Sequence, residues 1–156
     1  MAEIKQIPSV VDLGRDEIEK LLSNTRFGHL GMSRDDKPYI VPIHFAYEKP
    51  VIYFYTTEGL KTEIIEANPS VCLQAEHIQE ATNWQSIIIK GMAKRLESED
   101  QIEKAVKALK DVNPRLVPAW SLRWLDGWVR SNIEAIYRIT VSEITGRRAF
   151  LNTPIH

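Results

Sequence analysis

The fold is decided by residues 39 to 62: Tyr39-Ile40-Val41-Pro42-Ile43-His44-Phe45-Ala46-Tyr47, Glu48-Lys49-Pro50, Val51-Ile52-Tyr53-Phe54-Tyr55-Thr56-Thr57 and Glu58-Gly59-Leu60-Lys61-Thr62. The first run alternates, with Tyr39, Val41, Ile43, Phe45 and Tyr47 on one side, as in a half-buried strand. A Glu-Lys-Pro turn ends it, and the β-branched and aromatic content of 51 to 57 predicts a second, antiparallel strand. Gly59 breaks that pattern. A short helix from about Lys61 to Ala67 follows, and Asn68-Pro69 ends it because a residue before proline disfavours the helical conformation.

Working outward, Phe27 to Ser33 reads as a strand and Asp35-Asp36-Lys37-Pro38 as a turn, so three antiparallel strands follow one another. Ile18, Leu21 and Leu22 give Asp16 to Asn24 the spacing of a helix, after a loose lead of about a dozen residues. Val71 to Ala75 begins a fourth strand. Trp84 to Leu96 is a long fifth whose Ile87-Ile88-Ile89 is apolar on both faces, which predicts burial between the core and a second surface. Gly91 within it permits a bend or a close backbone approach. Ser98 opens an amphipathic helix from about Asp100 to Lys110 that buries Ile102, Ala105, Val106 and Leu109, and Ser98-Glu99-Asp100-Gln101 resembles a capping box. Asn113 to Asn132 shows no clear period, and Ile133 to Gly146 reads as the last strand. Six strands joined by short turns, with helices inserted late, predict a mainly β, α+β fold: a six-stranded antiparallel barrel with flanking helices, one domain over residues 1–156.

A chain of 156 residues with 44% hydrophobic and 26% charged content is an ordinary globular domain. Its 20 basic and 21 acidic residues are scattered, leaving no basic stripe for a phosphate backbone, so no nucleic-acid partner is expected. Cys72 is the sole cysteine, which excludes an internal disulfide and a thiolate zinc cluster. Within Val71-Cys72-Leu73 it reads as a small core residue. No apolar segment approaches the roughly 20 residues that span a bilayer, and the N-terminus lacks the apolar core of a signal peptide. No membrane association and a cytoplasmic location are therefore expected.

The chemistry concentrates where the strand 51 to 57 ends in hydroxyls, passes Gly59 and enters a helix with Lys61 in its first turn. Unpaired amides at a helix start, the helix dipole, a lysine charge and the hydroxyls of Thr56, Thr57 or Thr62 suit a phosphate. Hydroxyl-rich strand ends and surface lysines also occur without any ligand.

Arg26-Phe27-Gly28-His29-Leu30-Gly31, Lys37 to Tyr47, the segment Tyr53 to Thr62, Asn68-Pro69-Ser70-Val71 and Trp84-Gln85-Ser86-Ile87-Ile88-Ile89-Lys90-Gly91-Met92-Ala93 follow one another in a recognisable order. Together they resemble the FMN-binding split-barrel superfamily related to pyridoxamine 5'-phosphate oxidase, in its nitroimidazole-resistance (nitroreductase-like) branch, over roughly residues 14 to 150. The resemblance implies a split barrel that pairs as a homodimer around flavin mononucleotide (FMN). Val41, Pro42 and Ile43 would line the isoalloxazine ring; Tyr55, Thr56, Thr57, Lys61 and Thr62 would surround the ribityl phosphate; Gln85 and Ser86 would reach the flavin from the long strand. Relatives often carry a basic residue just before the lysine. Here that place is Leu60, so Arg147 or Arg148 is a candidate replacement.

His44 is the candidate proton donor or substrate contact, the alternative being a barrel histidine with a backbone partner. With His29 and His77 it shows no close ligand spacing, and no metal is expected. Trp120, Trp124 and Trp128 recur every four residues, one drifting stripe if helical, suited to a pocket wall or to core and dimer contacts. The implied function is electron transfer from a reduced nicotinamide to a small acceptor such as a nitroaromatic, for which the cofactor supplies the chemistry. A non-catalytic flavin- or haem-binding sensor and true pyridoxamine phosphate oxidation are the alternatives.

Overall fold

A computed structural model describes residues 7–114, 122–125, 128–131 and 134–151. Along the chain run β1 (Pro8–Asp12), α1 (Arg15–Asn24), β2 (Phe27–Arg34), β3 (Lys37–Glu48), β4 (Val51–Thr57), α2 (Leu60–Ala67), β5 (Ser70–Glu80), β6 (Asn83–Arg95), α3 (Glu99–Val112), β7 (Leu122–Leu125), β8 (Trp128–Ser131) and β9 (Glu134–Leu151). The main sheet has the order β1-β9-β4-β3-β2-β5-β6, and β9 also pairs with β6. That extra pairing closes β9, β4, β3, β2, β5 and β6 into an antiparallel ring, the mainly β, α+β split barrel.

The strand count differs from six. The main sheet holds seven strands, because the lead contributes β1, paired from Pro8↔Leu151 to Asp12↔Arg147. Its side chains are mostly exposed, so no hydrophobic alternation marks it. β7 and β8 form a separate hairpin with Trp124↔Val129 and Leu125↔Trp128 paired, which replaces the helical stripe for Trp124 and Trp128. Trp120 lies outside the described residues. β9 also runs past Gly146 to Leu151. Gly146 continues the strand because close packing requires it: a Cβ there would come within 2.9 Å of Leu13 and 3.0 Å of Ile87.

Turn chemistry explains the first hairpin. Asp35 and Asp36 take φ of 51° and 59°, the left-handed pair that a two-residue β-hairpin turn uses and that aspartate tolerates. At α3 the Ser98 hydroxyl accepts from the Gln101 amide at 3.3 Å, an N-cap.

Alternation then sorts the side chains. Leu30, Ile52, Leu73, Ala75 and Ile87 are completely buried inside the ring, and a fully buried aliphatic side chain contributes about 1.5–3 kcal/mol. α1 adds Leu21 and Leu22 to this core and α2 adds Ile64 and Ile65, while α3 covers Ala46 and Tyr53 on the outer side of β3 and β4 with Ala105, Ala108 and Leu109. Two expectations change at this level. Cys72 is exposed, because its neighbours Val71 and Leu73 take the inward positions. Ile88 is likewise 43% exposed between buried Ile87 and Ile89, so the isoleucine run gives the core two residues and the outer face one.

Gly91 does make a close approach. A Cβ there would strike the Thr140 carbonyl oxygen, at the point where the β6–β9 register slips between Lys90↔Glu143 and Gly91↔Val141. The slip lets β9 bend so that its first half pairs with β4 and its second half with β1.

Candidate functional site

The ring is split between β3 and β4. These strands pair only over Phe45↔Phe54 to Glu48↔Val51; before Phe45, β3 runs on β2 alone, and past Phe54, β4 runs on β9 alone. The Phe45 N–H donates to the Arg26 carbonyl at 3.0 Å, so odd-numbered residues of β3 turn their backbone groups toward β2. Ile40, Pro42 and His44 therefore turn theirs to the other edge, where no strand pairs among the described residues. Continuing the β3–β4 register past Phe45↔Phe54 would set His44 against Tyr55 and Pro42 against Thr57. Pairing already stops at His44, and Pro42, which has no N–H, cannot donate the ladder bond that would restore it.

α2 begins at the same end of the split. The Gly59 N–H donates to the Thr62 hydroxyl at 3.1 Å, and that hydroxyl donates back to the Gly59 carbonyl at 2.9 Å, so buried Thr62 pins the loop. The Glu63 N–H to Gly59 carbonyl bond, 3.1 Å, is the first of the helix. The amides of Leu60 and Lys61 precede it and have no intrahelical acceptor. Lys61 is half-buried and forms no ion pair among the described residues. Thr56 faces inward, its hydroxyl only 3.4 Å from the Thr57 carbonyl, a long contact for a hydroxyl donor. Tyr55 and Thr57 face the other way, and Tyr55 packs on the α3 cluster.

The structure divides the other candidates. Val41 and Ile43 point into the core while Pro42 and His44 point outward, because successive strand residues alternate. The His44 ring lies 3.9 Å from that of Phe27, tilted by 46°. Burial lowers its pKa below 6.5, so it is neutral at pH 7. Beside it a groove of about 450 Å³ is lined by Arg26, Phe27, His29, Pro42, Gln74 and His77. The Ser86 hydroxyl accepts from Gln74 Nε2 at 3.1 Å and so joins this outer face, whereas Gln85 lines a neighbouring groove with Lys20, Asn24 and His77. Ser86 and Gln85 pair with Arg147 and Arg148, while Thr57 pairs with Glu134. Those two points lie at opposite ends of β9, up to roughly 40 Å of strand apart.

Arg147 and Arg148 lie at that far end, with Asp12 at 3.7 Å and Glu17 at 4.0 Å as their nearest carboxylates. Arg95, which no sequence signal singles out, reaches the loop before α2 instead: it ends β6, and the β6–β9 register carries it to Glu58. The hydrogen bond that Arg95 donates to the Glu58 carboxylate raises the guanidinium pKa and holds its charge.

An antiparallel barrel opened along one seam, with a helix start and an unpaired lysine at the end of that seam, defines the class of flavin-type split barrels. The chain belongs to the pyridoxamine 5'-phosphate oxidase family, whose model matches residues 14–148. An uncharacterized protein of Rhizobium meliloti (strain 1021) is 24% identical over 151 residues, covering 88% of this chain and 93% of that protein. A FAD-binding protein from Mesorhizobium loti superposes with a TM-score of 0.70 at 25% identity, covering 89% of this chain and 97% of that one. A putative 5-nitroimidazole antibiotic resistance protein from Bacteroides thetaiotaomicron gives 0.72 at 20% identity, over 94% and 91% of the chains, a likeness of fold alone.

Proposed function

We propose that the chain binds flavin mononucleotide in the β3–β4 split, as a homodimer, and passes electrons from a reduced nicotinamide to a small acceptor such as a nitroaromatic. One observation carries this reading: the unpaired edge of β3 and the first turn of α2, with uncommitted Lys61, border the same opening. A ring along that edge would find backbone donors and acceptors from Ile40, Pro42 and His44, and its phosphate would find the Leu60 and Lys61 amides. Val41 and Ile43 would then support the edge from the core side, and Pro42 would touch the ring.

A terminal phosphate suits one lysine and one helix start, and the chain has no glycine-rich dinucleotide fingerprint, which favours FMN over FAD. The bound flavin supplies the redox chemistry, and the protein supplies orientation and a shielded seam. His44, neutral beside that edge, would offer an N–H to substrate or flavin. Ile40, Ile88 and Met92, 65%, 43% and 51% exposed, lie on the outward side of the sheet and supply the apolar contact for a second copy. In such a pair, Gln85 and Ser86 would serve the flavin seated in the other subunit.

The test is the ligand that co-purifies, identified by mass spectrometry after denaturation, followed by anaerobic stopped-flow. FMN should be found, should bleach with reduced nicotinamide and should regain its colour with a nitroimidazole or quinone, while pyridoxamine phosphate should not reduce it. A Soret band without a flavin band would refute the reading. A flavin that dithionite reduces but nicotinamide never does would leave a sensor in place of an enzyme.

A further inference from the structure

We propose that Arg95 is the second cation of the phosphate seat, kept beside it by Glu58 and released to the ligand's phosphate on binding; this rests on the flavin reading above and deepens it. The position before Lys61 is Leu60, 50% exposed and uncharged. Arg147 and Arg148 pair elsewhere, at the opposite end of β9. Arg95 reaches the corner from the last position of β6. Its Nη1 contacts Glu58 Oε1 and lies 3.9 Å from Glu66 Oε1. Glu58 immediately precedes Gly59, the residue that caps α2, so Arg95 is tethered to the loop that leads into those amides. The side chains of Arg95 and Glu58 are 31% and 38% exposed, open enough for an incoming anion to compete.

A second, independent feature points into the same cluster. Tyr137 pairs directly with Arg95 across the β6–β9 ladder and is 1% exposed, and its buried hydroxyl has no hydrogen-bond partner among the described residues. Arg95, Glu66 and Glu58 are the charged groups that act on this phenol, so its unspent donor belongs to the same electrostatic cluster. Two carboxylates against one guanidinium leave the cluster net negative, and that charge opposes a phosphate dianion for as long as Glu58 keeps Arg95. A phosphate is planar-fork compatible in the way a carboxylate is, and it carries more charge, so it can take over the guanidinium. Glu58 is thus both the arm that positions Arg95 and the competitor that limits affinity.

Riboflavin, the same ring system without phosphate, separates this role from a structural one. FMN and riboflavin affinities are measured by fluorescence titration of apoprotein carrying Arg95→Gln, Arg95→Lys and Glu58→Gln. Arg95→Gln should weaken FMN by about tenfold or more, in line with the loss of a charge-assisted hydrogen bond, with riboflavin unchanged, and Arg95→Lys should recover part of the loss. Glu58→Gln, a conservative change at a partly exposed site, should tighten FMN several-fold and leave riboflavin unchanged; it decides the matter even if Arg95→Gln fails to fold. Equal losses for both flavins at Arg95, or FMN affinity unmoved by Glu58→Gln, would overturn the proposal. Wild-type protein that binds neither flavin would overturn the flavin reading itself.

Discussion

Gly91→Ala tests whether the β6–β9 closure is as tight as the packing indicates. The added Cβ would meet the Thr140 carbonyl oxygen, Ile139 Cγ2 at 2.8 Å and the Thr140 carbonyl carbon at 3.1 Å. Two of those three atoms are backbone, and Thr140 is also paired to Val51 of β4, so β9 cannot retreat without loosening the β4 ladder. Overpacking costs about 1–3 kcal/mol, occasionally more, and a backbone obstacle belongs at the upper end. About 3 kcal/mol corresponds to a melting point lower by roughly 6–12 °C for a chain of this length. Gly31→Ala is the internal control: its Cβ would also sit at 2.9 Å, but from Cys72 Sγ, the tip of an exposed side chain that can turn away. That variant should lose less than about 1 kcal/mol. Gly146→Ala, facing the side-chain tips of Leu13, Ile87 and Ile18, should fall between them. Thermal and urea unfolding followed by circular dichroism give the order, and equal losses at Gly91 and Gly31 would refute the argument.

Lys61→Glu should weaken FMN by at least about thirtyfold in a fluorescence titration, because a charge at the phosphate is reversed; unchanged affinity would mean the phosphate lies elsewhere. His44 has a folded pKa below its ordinary 6.5, so on acidification the unfolded chain takes the proton first. Its contribution to stability is complete above pH 6.5, is lost as pH falls below that value, and levels off under the folded pKa. His44→Gln should flatten that part of the curve in urea unfolding at pH 7.5 and 5.5, and an unaltered slope would contradict the shift. Ile88→Glu on the outward face should convert a dimer into a monomer in sedimentation at micromolar concentration, and a wild-type monomer with flavin bound would refute both the interface and the shared site.

Most of the ring was legible because its strands alternate cleanly. Leu30 and Met32 on β2, Phe45 on β3, and Ile87 and Ile89 on β6 occupy the inward positions that a period of two assigns them. Alternation fails as a guide where a strand has no buried face. Pro8 to Asp12 forms β1 through backbone pairing with β9, and nothing in its side chains announces a partner 130 residues or more away. Cys72 shows a second limit. A short apolar run reads as uniformly buried, yet the ladder must send every other residue outward, and the small polarisable thiol stands on that side between Val71 and Leu73.

The site was legible to the extent that it is local. Gly59, Lys61 and Thr62 form their corner within one turn, and the sequence spacing sufficed to find it. Arg95 arrives through a ladder whose register depends on the slip at Gly91, which no local pattern reveals. The split lies between these extremes. Pro38 and Pro42 share the parity of Ile40 and His44, so both prolines place their missing N–H on the edge of β3 that faces away from β2. The prolines therefore mark an edge in the sequence, although only the pairing shows which side it is on. From His44 onward β4 has left β3, Pro42 cannot donate the bond that would bring Thr57 back to it, and the chain then turns through Glu58 and Gly59 into α2. The unpaired edge of β3 and the helix start that could hold an anion at its end are thus set against each other by one register, and a missing hydrogen-bond donor at Pro42 helps keep the seam open.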